Sequence, residues 1–217
     1  MVIEPRVQEL LTLKVIASTL NQSNELAPML NTVLEKLLDL TGLTAGWIYL
    51  IEDGREFEFV ADYGLPPAVE IDDKRPMRRG MCWCLYQYED GRLKNAVNIL
   101  NCKRLEDAVE LQRGDTWGIT HHATVPLQAG DRRFGLLNVA APGKTHFADE
   151  ELALLQAVAY QIGGAIERMR LYAAEQTAGR PIRPGRRVRP LAQRGRQRWH
   201  GPRAARRTGR GADRRAL

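Results

Sequence analysis

Three cysteines and one histidine are the residues of this sequence with the most versatile chemistry. Cys82 and Cys84 are separated by one residue, and Cys102 and His122 follow within the next forty positions. Thiolates and imidazoles bind zinc or iron, and iron–sulfur clusters are held mostly by thiolates with histidine as an occasional substitute. The spacing leaves two interpretations open: a metal site of three thiols and one imidazole, or three core thiols without a ligand, because free cysteine is among the most buried residue types.

Aromatic and amide side chains surround these positions in the sequence. Trp83 and Tyr86 alternate with the thiols, and Asn98 precedes Cys102. We predict that Trp83, Tyr86 and Asn98 contact a bound ligand. The alternative is ordinary packing for the rings and a structural role for the amide, because a buried amide needs hydrogen-bond partners.

Helices are predicted at both ends of the region that contains these residues. Apolar residues recur at helical spacing in residues 7–20 and again in residues 25–40, where Gly42 is the stop signal. A long final helix is predicted over residues 147–176, with acids in its first turn. Its weak point is Gly163-Gly164, which is tolerable if another helix approaches closely.

The middle of the chain has the patterns of short strands and tight turns. Asp53-Gly54 is a hairpin signal between two of the strands. A surface loop is predicted over residues 70–79. The remaining predicted elements are strands 47–51, 56–60, 95–99, 119–127 and 134–140, and a short helix over 81–88. Strands joined by tight turns and flanked by helices predict an antiparallel sheet in an α+β fold.

The charge is divided unevenly along the chain. Residues 180–217 contain 14 of the 32 basic residues, all of them Arg, and one acid. The preceding 179 residues contain 18 basic and 25 acidic residues, so the predicted folded part is acidic and the net charge of +6 comes from the tail. Arg, Gly, Pro and Ala supply 28 of the last 38 residues, and this composition predicts disorder.

Two interpretations of this tail remain open. A genuine tail would hold nucleic-acid phosphates by charge alone, in a salt-sensitive way. Alternatively, the tail is a frameshift artefact, because its four main residue types have GC-rich codons and Lys is absent from it. Nucleic acid is therefore expected as a partner only if the tail is genuine.

Length and apolar patterning predict where the protein is found. A chain of 217 residues suits one domain with extensions. No apolar run approaches the roughly 20 residues that cross a bilayer, and the N-terminus lacks the pattern of a secretory signal. An odd number of cysteines argues against a disulfide framework. We expect a cytoplasmic protein with reduced thiols and no membrane segment.

Several segments in order resemble a GAF domain, the sensory module common in bacterial sensor histidine kinases. The landmarks are residues 20–54, Val60-Ala-Asp-Tyr-Gly-Leu-Pro66, Thr124-Val-Pro-Leu127 followed by Phe134-Gly-Leu-Leu-Asn-Val139, and the start of the final helix at Phe147-Ala-Asp149. The resemblance covers about residues 7–172. It implies an antiparallel sheet with helices on both sides.

One GAF subgroup from sensor kinases is similar to this chain around the cysteines. The matching segments are Gly80-Met-Cys-Trp-Cys84, residues 95–105, Gly114-Asp-Thr116 and His122-Ala-Thr-Val-Pro126. Some GAF sensors of this general type hold an iron–sulfur cluster or another redox group. The resemblance therefore implies that His122, rather than its neighbour His121, joins the three thiols.

The resemblance also implies an organisation and a function. Residues 1–22 would form an N-terminal signalling or dimerisation helix, residues 23–172 the GAF sensory domain, and residues 173–217 the helix end and the tail. We expect a sensory input domain of a two-component signalling protein that responds to a redox state or a small ligand. It would be a homodimer through its terminal helices and act on a downstream kinase or response regulator. Catalysis by this chain is not expected, because after about residue 176 it departs from a complete sensor kinase, which would have its phosphoacceptor and ATP-binding domains there.

Two alternatives remain. Free methionine-sulfoxide reductases also use a GAF scaffold with three cysteines, and Gly80-Met-Cys82 is similar to one of their motifs. That family places its catalytic cysteine just before the Val-Pro-Leu strand, where this chain has Ile119-Thr-His-His. The other alternative is a dimerisation module with an empty pocket.

Overall fold

The fold is known from a computed structural model, which describes residues 4–51 and 56–178. Helices flank a sheet at both ends of the sequence, and shorter helices interrupt the strands. The elements in chain order are α1 (Pro5–Leu20), α2 (Leu26–Thr41), β1 (Ala45–Leu50), β2 (Glu58–Tyr63), α3 (Pro67–Arg78), α4 (Trp83–Glu89), β3 (Val97–Ile99), α5 (Lys103–Glu110), β4 (His122–Ala129), β5 (Arg132–Ala140) and α6 (Asp149–Ala178).

The five strands form one sheet in the order β2-β1-β5-β4-β3, and every neighbouring pair is antiparallel. This arrangement confirms the predicted α+β class. The predicted Asp53-Gly54 turn and residues 180–217 lie outside the described residues.

One face of the sheet packs against α2 and α6, and α1 packs on these two helices. Because successive strand residues point to opposite faces, Ile48, Val125 and Leu137 all reach this core. The predicted apolar stripe of α2 faces this core, with Leu26 partly buried and its other members fully buried: Leu30, Val33, Leu34, Leu37 and Leu38.

Gly163 brings α6 close to a strand. A Cβ atom at this position would lie 2.1 Å from the backbone oxygen of Gln128 in β4, whereas a Cβ at Gly164 would meet nothing within 4 Å. The close approach that the glycine pair predicted is therefore to the sheet, not to another helix.

The opposite face of the sheet carries the second core, under α3, α4 and α5. Trp47 and Tyr49 of β1 and Leu136 of β5 point into it, and so do all three cysteines. Helices thus cover both faces of the sheet. The candidate site residues are concentrated on the face that α3, α4 and α5 cover.

The predicted surface loop over residues 70–79 is wrong in part. Helical turns form at both ends of α3, separated by a kink at Ile71–Lys74. Asp72, Asp73 and Lys74 have φ angles of 50°, 55° and 58° there, in the left-handed region. A helical reading failed because Pro76 and the charged residues gave no apolar period. α5 was not predicted either, because its two turns are too short to give a clear helical period.

Within the described ranges, no helix is both long enough and apolar enough to cross a membrane.

Candidate functional site

The three thiols are held at the starts of two short helices. Cys82 is the residue before α4 and has an extended backbone, with φ −136° and ψ 170°, and Cys84 lies in the first turn of that helix. Cys102 is the residue before α5. All three are buried and none forms a disulfide. Since both helices pack on the same face of the sheet, their first turns bring the thiols into one layer.

His122 reaches this layer from the first position of β4. It is buried, and its ring lies 5.1 Å from the ring of Trp47 between centroids. Its Nε2 atom lies 3.2 Å from Sγ of Cys84. His121 is only partly buried, and its Nδ1 lies 2.6 Å from the hydroxyl of Thr120. The strand alternation therefore directs one imidazole to the thiols and the other away from them.

A row of polar groups across the sheet lies beside His122. Thr124 of β4 is paired in register with Asn138 of β5, and Asn138 with Trp47 of β1. The Thr124 hydroxyl donates a hydrogen bond to Oδ1 of Asn138 over 2.7 Å. These buried polar groups satisfy one another, so the floor of the site is fixed.

The pKa values of His122, Cys82 and Cys84 determine which of these side chains carry a proton at neutral pH. Burial lowers the pKa of His122 to about 3, with smaller contributions from the charges of His121 and Arg104, so the imidazole is neutral at neutral pH. A hydrogen bond from the Cys84 thiol is the main effect that lowers the pKa of Cys82 to about 6, against burial, and Arg104 assists it. The same hydrogen bond and burial raise the pKa of Cys84 well above its ordinary value.

These shifts define a directed chain of hydrogen bonds at neutral pH. Cys84 keeps its proton and donates it toward the Cys82 thiolate, which leaves the Cys84 sulfur to accept from Nε2–H of His122. We call Cys82, Cys84 and His122 the thiol–imidazole cluster. Cys82 is the thiol of this cluster with the lowered pKa, and the thiolate rather than the thiol is the reactive form of cysteine.

Cys102 differs from the other two thiols. Burial raises its pKa to about 11, so it is a neutral thiol. It lines a small apolar cavity with Trp47, Leu65 and Ile119. Among residues 4–51 and 56–178, no three His, Cys, Asp or Glu side chains are grouped closely enough to hold a metal ion.

Arg104 connects α5 to the segment that carries Cys82. Its Nη1 donates to the carbonyl oxygens of Pro76 and Arg79, the latter over 2.7 Å, and its Nη2 donates to Gly80 over 2.9 Å. The guanidinium also lies over the ring of Tyr49, 5.4 Å from its centroid. Arg104 thereby fixes the chain two residues before Cys82 and adds a positive charge beside it.

Three buried polar atoms on this face have no hydrogen-bond partner among the described residues: the Tyr49 hydroxyl, Nε of Arg104 and Nδ1 of His122. Buried polar groups are nearly always paired, so an unpaired group requires an explanation. All three atoms belong to residues on the face of the sheet that carries the cysteines.

The predicted ligand-contacting residues lie outside the thiol–imidazole cluster. Trp83 and Tyr86 are 58% and 52% exposed on α4. The side chain of Asn98 donates to the Phe147 carbonyl over 3.0 Å and accepts from the Phe147 amide over 2.8 Å, which joins β3 to the segment before α6. Tyr86 also lines an external cleft between α3 and α5.

Sequence reasoning did not select Arg104 and Tyr49. Arg104 is one of many basic residues, and only the fold shows that it is buried. A signal existed at Tyr49, which is a polar-tipped aromatic within an otherwise apolar strand, but such residues are common in ordinary cores.

The fold and the sequence together define the class of protein. The GAF domain family profile matches residues 23–167, and the chain belongs to this family. The GAF domain of a phosphoenolpyruvate-protein phosphotransferase from Coxiella burnetii has the same fold, with a TM-score of 0.61 at 19% identity over 79% of this chain and 99% of that one. So does the GAF domain of a protein assigned as a sensor histidine kinase from Pseudomonas syringae pv. tomato, with a TM-score of 0.56 at 17% identity over 80% and 94%.

A much higher identity relates the chain to one particular protein. It is 55% identical to the sensor histidine kinase YhcY of Bacillus subtilis (strain 168) over 171 residues, and this matched region covers 79% of the chain. The chain spans 45% of the length of that relative. The domain is thus a GAF domain of the kind found in bacterial sensor histidine kinases, as the sequence predicted.

Proposed function

We propose that this GAF domain is the input part of a two-component signalling protein and that it receives a redox or small-molecule signal at the thiol–imidazole cluster. The observation that carries the proposal is the contact of 3.2 Å between Sγ of Cys84 and Nε2 of His122, together with the hydrogen bond from Cys84 to Cys82, whose pKa is about 6. A structural core requires neither a lowered thiol pKa nor a directed hydrogen-bond chain. Perturbed pKa values are concentrated at functional sites.

Oxidation by a peroxide is the chemistry that this arrangement supports. The Cys82 thiolate attacks one oxygen of hydrogen peroxide, an S–O bond forms, the O–O bond breaks, and the leaving hydroxide takes a proton and becomes water. The resulting sulfenic acid condenses with the Cys84 thiol, which forms an S–S bond and releases a second water. Two electrons pass from the two sulfurs to one peroxide. Because Cys82 is only 5% exposed, a small oxidant is favoured over a bulky one.

Peroxide titration of the reduced chain, followed by mass spectrometry of the peptide that contains Cys82 and Cys84, tests this proposal. We expect loss of two hydrogen atoms from that peptide, a trapped sulfenic acid at Cys82 in Cys84→Ala, and no reaction at this peptide in Cys82→Ser. Cys102→Ala is the matched control and should react like the unsubstituted chain. Oxidation of Cys102 before Cys82, or no faster oxidation of Cys82 than in the unfolded chain, would refute the proposal.

An iron–sulfur or other metal site at Cys82, Cys84, Cys102 and His122 is the second candidate. The donor types and the unpartnered Nδ1 of His122 favour it. As placed, however, the described residues offer no group of three ligands, so the four side chains do not fit a metal centre in this conformation, and no step is derived through one. Iron and sulfide analysis of anaerobically purified protein tests it. Equal iron content in the Cys82→Ser, Cys84→Ser double variant would exclude it.

We further propose that α1 and α6 transmit the signal as a homodimer to a downstream kinase or response regulator. The two helices are joined by Arg168, whose Nη2 donates to Oδ1 of Asn21 over 3.2 Å. Both helices expose large apolar side chains, including Leu10 and Leu171. A second copy of this chain would cover these side chains and link the two sensory domains. The cytoplasmic location stays a prediction.

A further inference from the structure

A cleft of about 660 Å³ opens outside the thiol–imidazole cluster, between the second half of α3 and the start of α5. Its volume lies within the range of pockets that bind small molecules. Cationic side chains dominate its lining, and we call it the basic cleft. The charged residues that line it are Arg75, Arg79, Lys103, Arg104 and Arg113 against Asp72 and Asp107.

The charge of the basic cleft is opposite to that of the rest of the domain. Residues 1–179 carry 18 basic and 25 acidic residues, yet the cleft gathers five cations and two carboxylates. Asp107 is occupied by Lys103, whose Nζ lies 2.8 Å from its carboxylate. Within the part of the chain that the structure describes, none of the ion pairs includes Arg75, Arg79 or Arg113. Like charges brought together raise the free energy of the fold, and a bound anion relieves that repulsion.

The burial of Arg104 is independent evidence for an anionic ligand. This residue is only 6% exposed, and no carboxylate pairs with it among the described residues. Its two terminal nitrogens are used by backbone oxygens, whereas its Nε is buried without a partner. A buried donor that lacks an acceptor is costly, so an anionic oxygen close to Nε of Arg104 would offset that cost.

We propose that the basic cleft binds a small organic dianion, either a phosphate monoester or a dicarboxylate. The two classes share the chemistry that the cleft recognises. A planar carboxylate and a tetrahedral phosphate each present a pair of anionic oxygens that a guanidinium group can bind. This inference deepens the proposed function, because it names the class of small molecule that the domain senses. Its role as a signal rests on that function, but the binding itself can be measured without it.

Arg104 couples the basic cleft to the thiol–imidazole cluster. It lines the cleft, and it fixes the carbonyl of Gly80 over 2.9 Å, two residues before Cys82. Its charge also helps to hold the pKa of Cys82 low. An anion in the cleft would neutralise part of that charge, so the Cys82 thiolate would become less favoured when the cleft is filled.

Isothermal titration calorimetry with inorganic phosphate and with succinate, at constant ionic strength, tests the proposal. We expect saturable binding of at least one of the two probes. The Arg79→Gln, Arg113→Gln double variant should weaken that binding by about tenfold or more, since a charge-assisted hydrogen bond contributes about 1.5–3 kcal/mol. Arg6→Gln, on α1, is the matched control and should bind normally. Thermal unfolding checks that each variant is folded.

Each outcome distinguishes the inference from the proposed function. Binding of phosphate alone assigns the phosphate class, and binding of succinate alone assigns the dicarboxylate class. No saturable binding of either probe, or binding that the double variant leaves unchanged, overturns the inference while the peroxide chemistry of Cys82 stands. Binding that is lost in the double variant supports the inference even if peroxide does not oxidise Cys82.

Discussion

The sulfur of Cys84 lies 3.2 Å from Nε2 of His122, a contact that joins the first turn of α4 to the first residue of β4 across 38 positions of sequence. The contact matters because it brings a neutral imidazole to the thiol whose hydrogen bond lowers the pKa of Cys82. Since His122 is a neutral donor, Cys84 can direct its own proton to Cys82. The site therefore separates two thiols that are nearly adjacent in sequence into a thiolate and a hydrogen-bond donor.

Removal of the Cys84 thiol should raise the pKa of Cys82. In Cys84→Ala the main hydrogen bond to the Cys82 thiolate is lost while its burial remains, so its pKa should move from about 6 to the ordinary thiol value of about 8.5 or above. Ultraviolet absorbance of the thiolate against pH measures this shift. Cys102→Ala is the control and should keep the titration near pH 6, and an unchanged curve in Cys84→Ala would contradict the hydrogen-bond chain.

The stability of the domain should fall in acid. His122 has a pKa of about 3 in the fold, against about 6.5 in an unfolded chain, so the unfolded state binds more protons between these values and stability decreases as pH falls through them. Cys82 has the same sign, because its stabilising effect is complete above the ordinary thiol pKa and is lost as pH falls to about 6. Cys102, with its pKa raised to about 11, makes stability decrease above the ordinary thiol pKa.

Urea unfolding at pH values of about 4.5, 7 and 9 measures this dependence. His122→Asn should have a smaller loss of unfolding free energy between the two lower pH values than the unsubstituted chain, even if it is less stable at every pH. The same loss in both proteins would show that His122 is not the group responsible.

The sequence predicted the sheet and its flanking helices because each has a strong local signal. The stripe of α2, with Leu30, Val33 and Leu37 at helical spacing, can be read directly, and so can the apolar strand that became β5. α3 gave no such signal. Its helical turns are short and charged, and they are held by tertiary contacts such as the bond from Arg104 to the Arg79 carbonyl.

The candidate site was predictable in its parts but not in its arrangement. Residue types and the family resemblance selected Cys82, Cys84 and His122, and the fold brings these three together. Cys102 lies in the same layer, but sequence spacing could not show that its thiol faces an apolar cavity. The burial of Arg104 was also unpredictable, because it depends on carbonyl groups about 25 residues away.

The two adjacent glycines of α6 should respond oppositely to the same substitution. In Gly163→Ala the new methyl would meet the Gln128 oxygen at 2.1 Å, so α6 must move from β4, at a cost of about 1–3 kcal/mol. Gly164→Ala meets nothing within 4 Å and should stabilise the helix by up to about 1 kcal/mol. Chemical denaturation of both variants gives the comparison, and similar changes in both would argue against close packing of α6 on the sheet.

A charge in the exposed apolar surface of α1 and α6 should dissociate the proposed homodimer. Leu10→Glu with Leu171→Glu places carboxylates where a second copy would pack, and a buried unpaired charge is strongly unfavourable. Sedimentation velocity should then detect monomers. Leu100→Glu, equally exposed but near α5, is the matched control and should leave the dimer intact. A monomeric unsubstituted chain at the highest soluble concentration would refute the dimer.

Replacement of Arg104 by Lys or by Gln should distinguish its two roles, which are to hold the backbone carbonyls and to supply a positive charge. Arg104→Lys keeps a positive charge but loses the planar fork that holds the carbonyls of Arg79 and Gly80. Arg104→Gln loses both. Because buried carbonyls lose their donors in each, both variants should be destabilised by about 2–4 kcal/mol, as measured by chemical denaturation.

The pKa of Cys82 should distinguish the two variants even though their stabilities are similar. Arg104→Gln removes a charge that favours the thiolate, so the pKa of Cys82 should rise, whereas Arg104→Lys should hold it closer to about 6. Ultraviolet titration of the thiolate measures both, with Arg92→Gln, a fully exposed arginine, as the control for loss of one positive charge. Equal pKa values in the two variants would mean that Arg104 acts on Cys82 only by holding the backbone in place, and the proposed electrostatic link between the basic cleft and the thiol would fail.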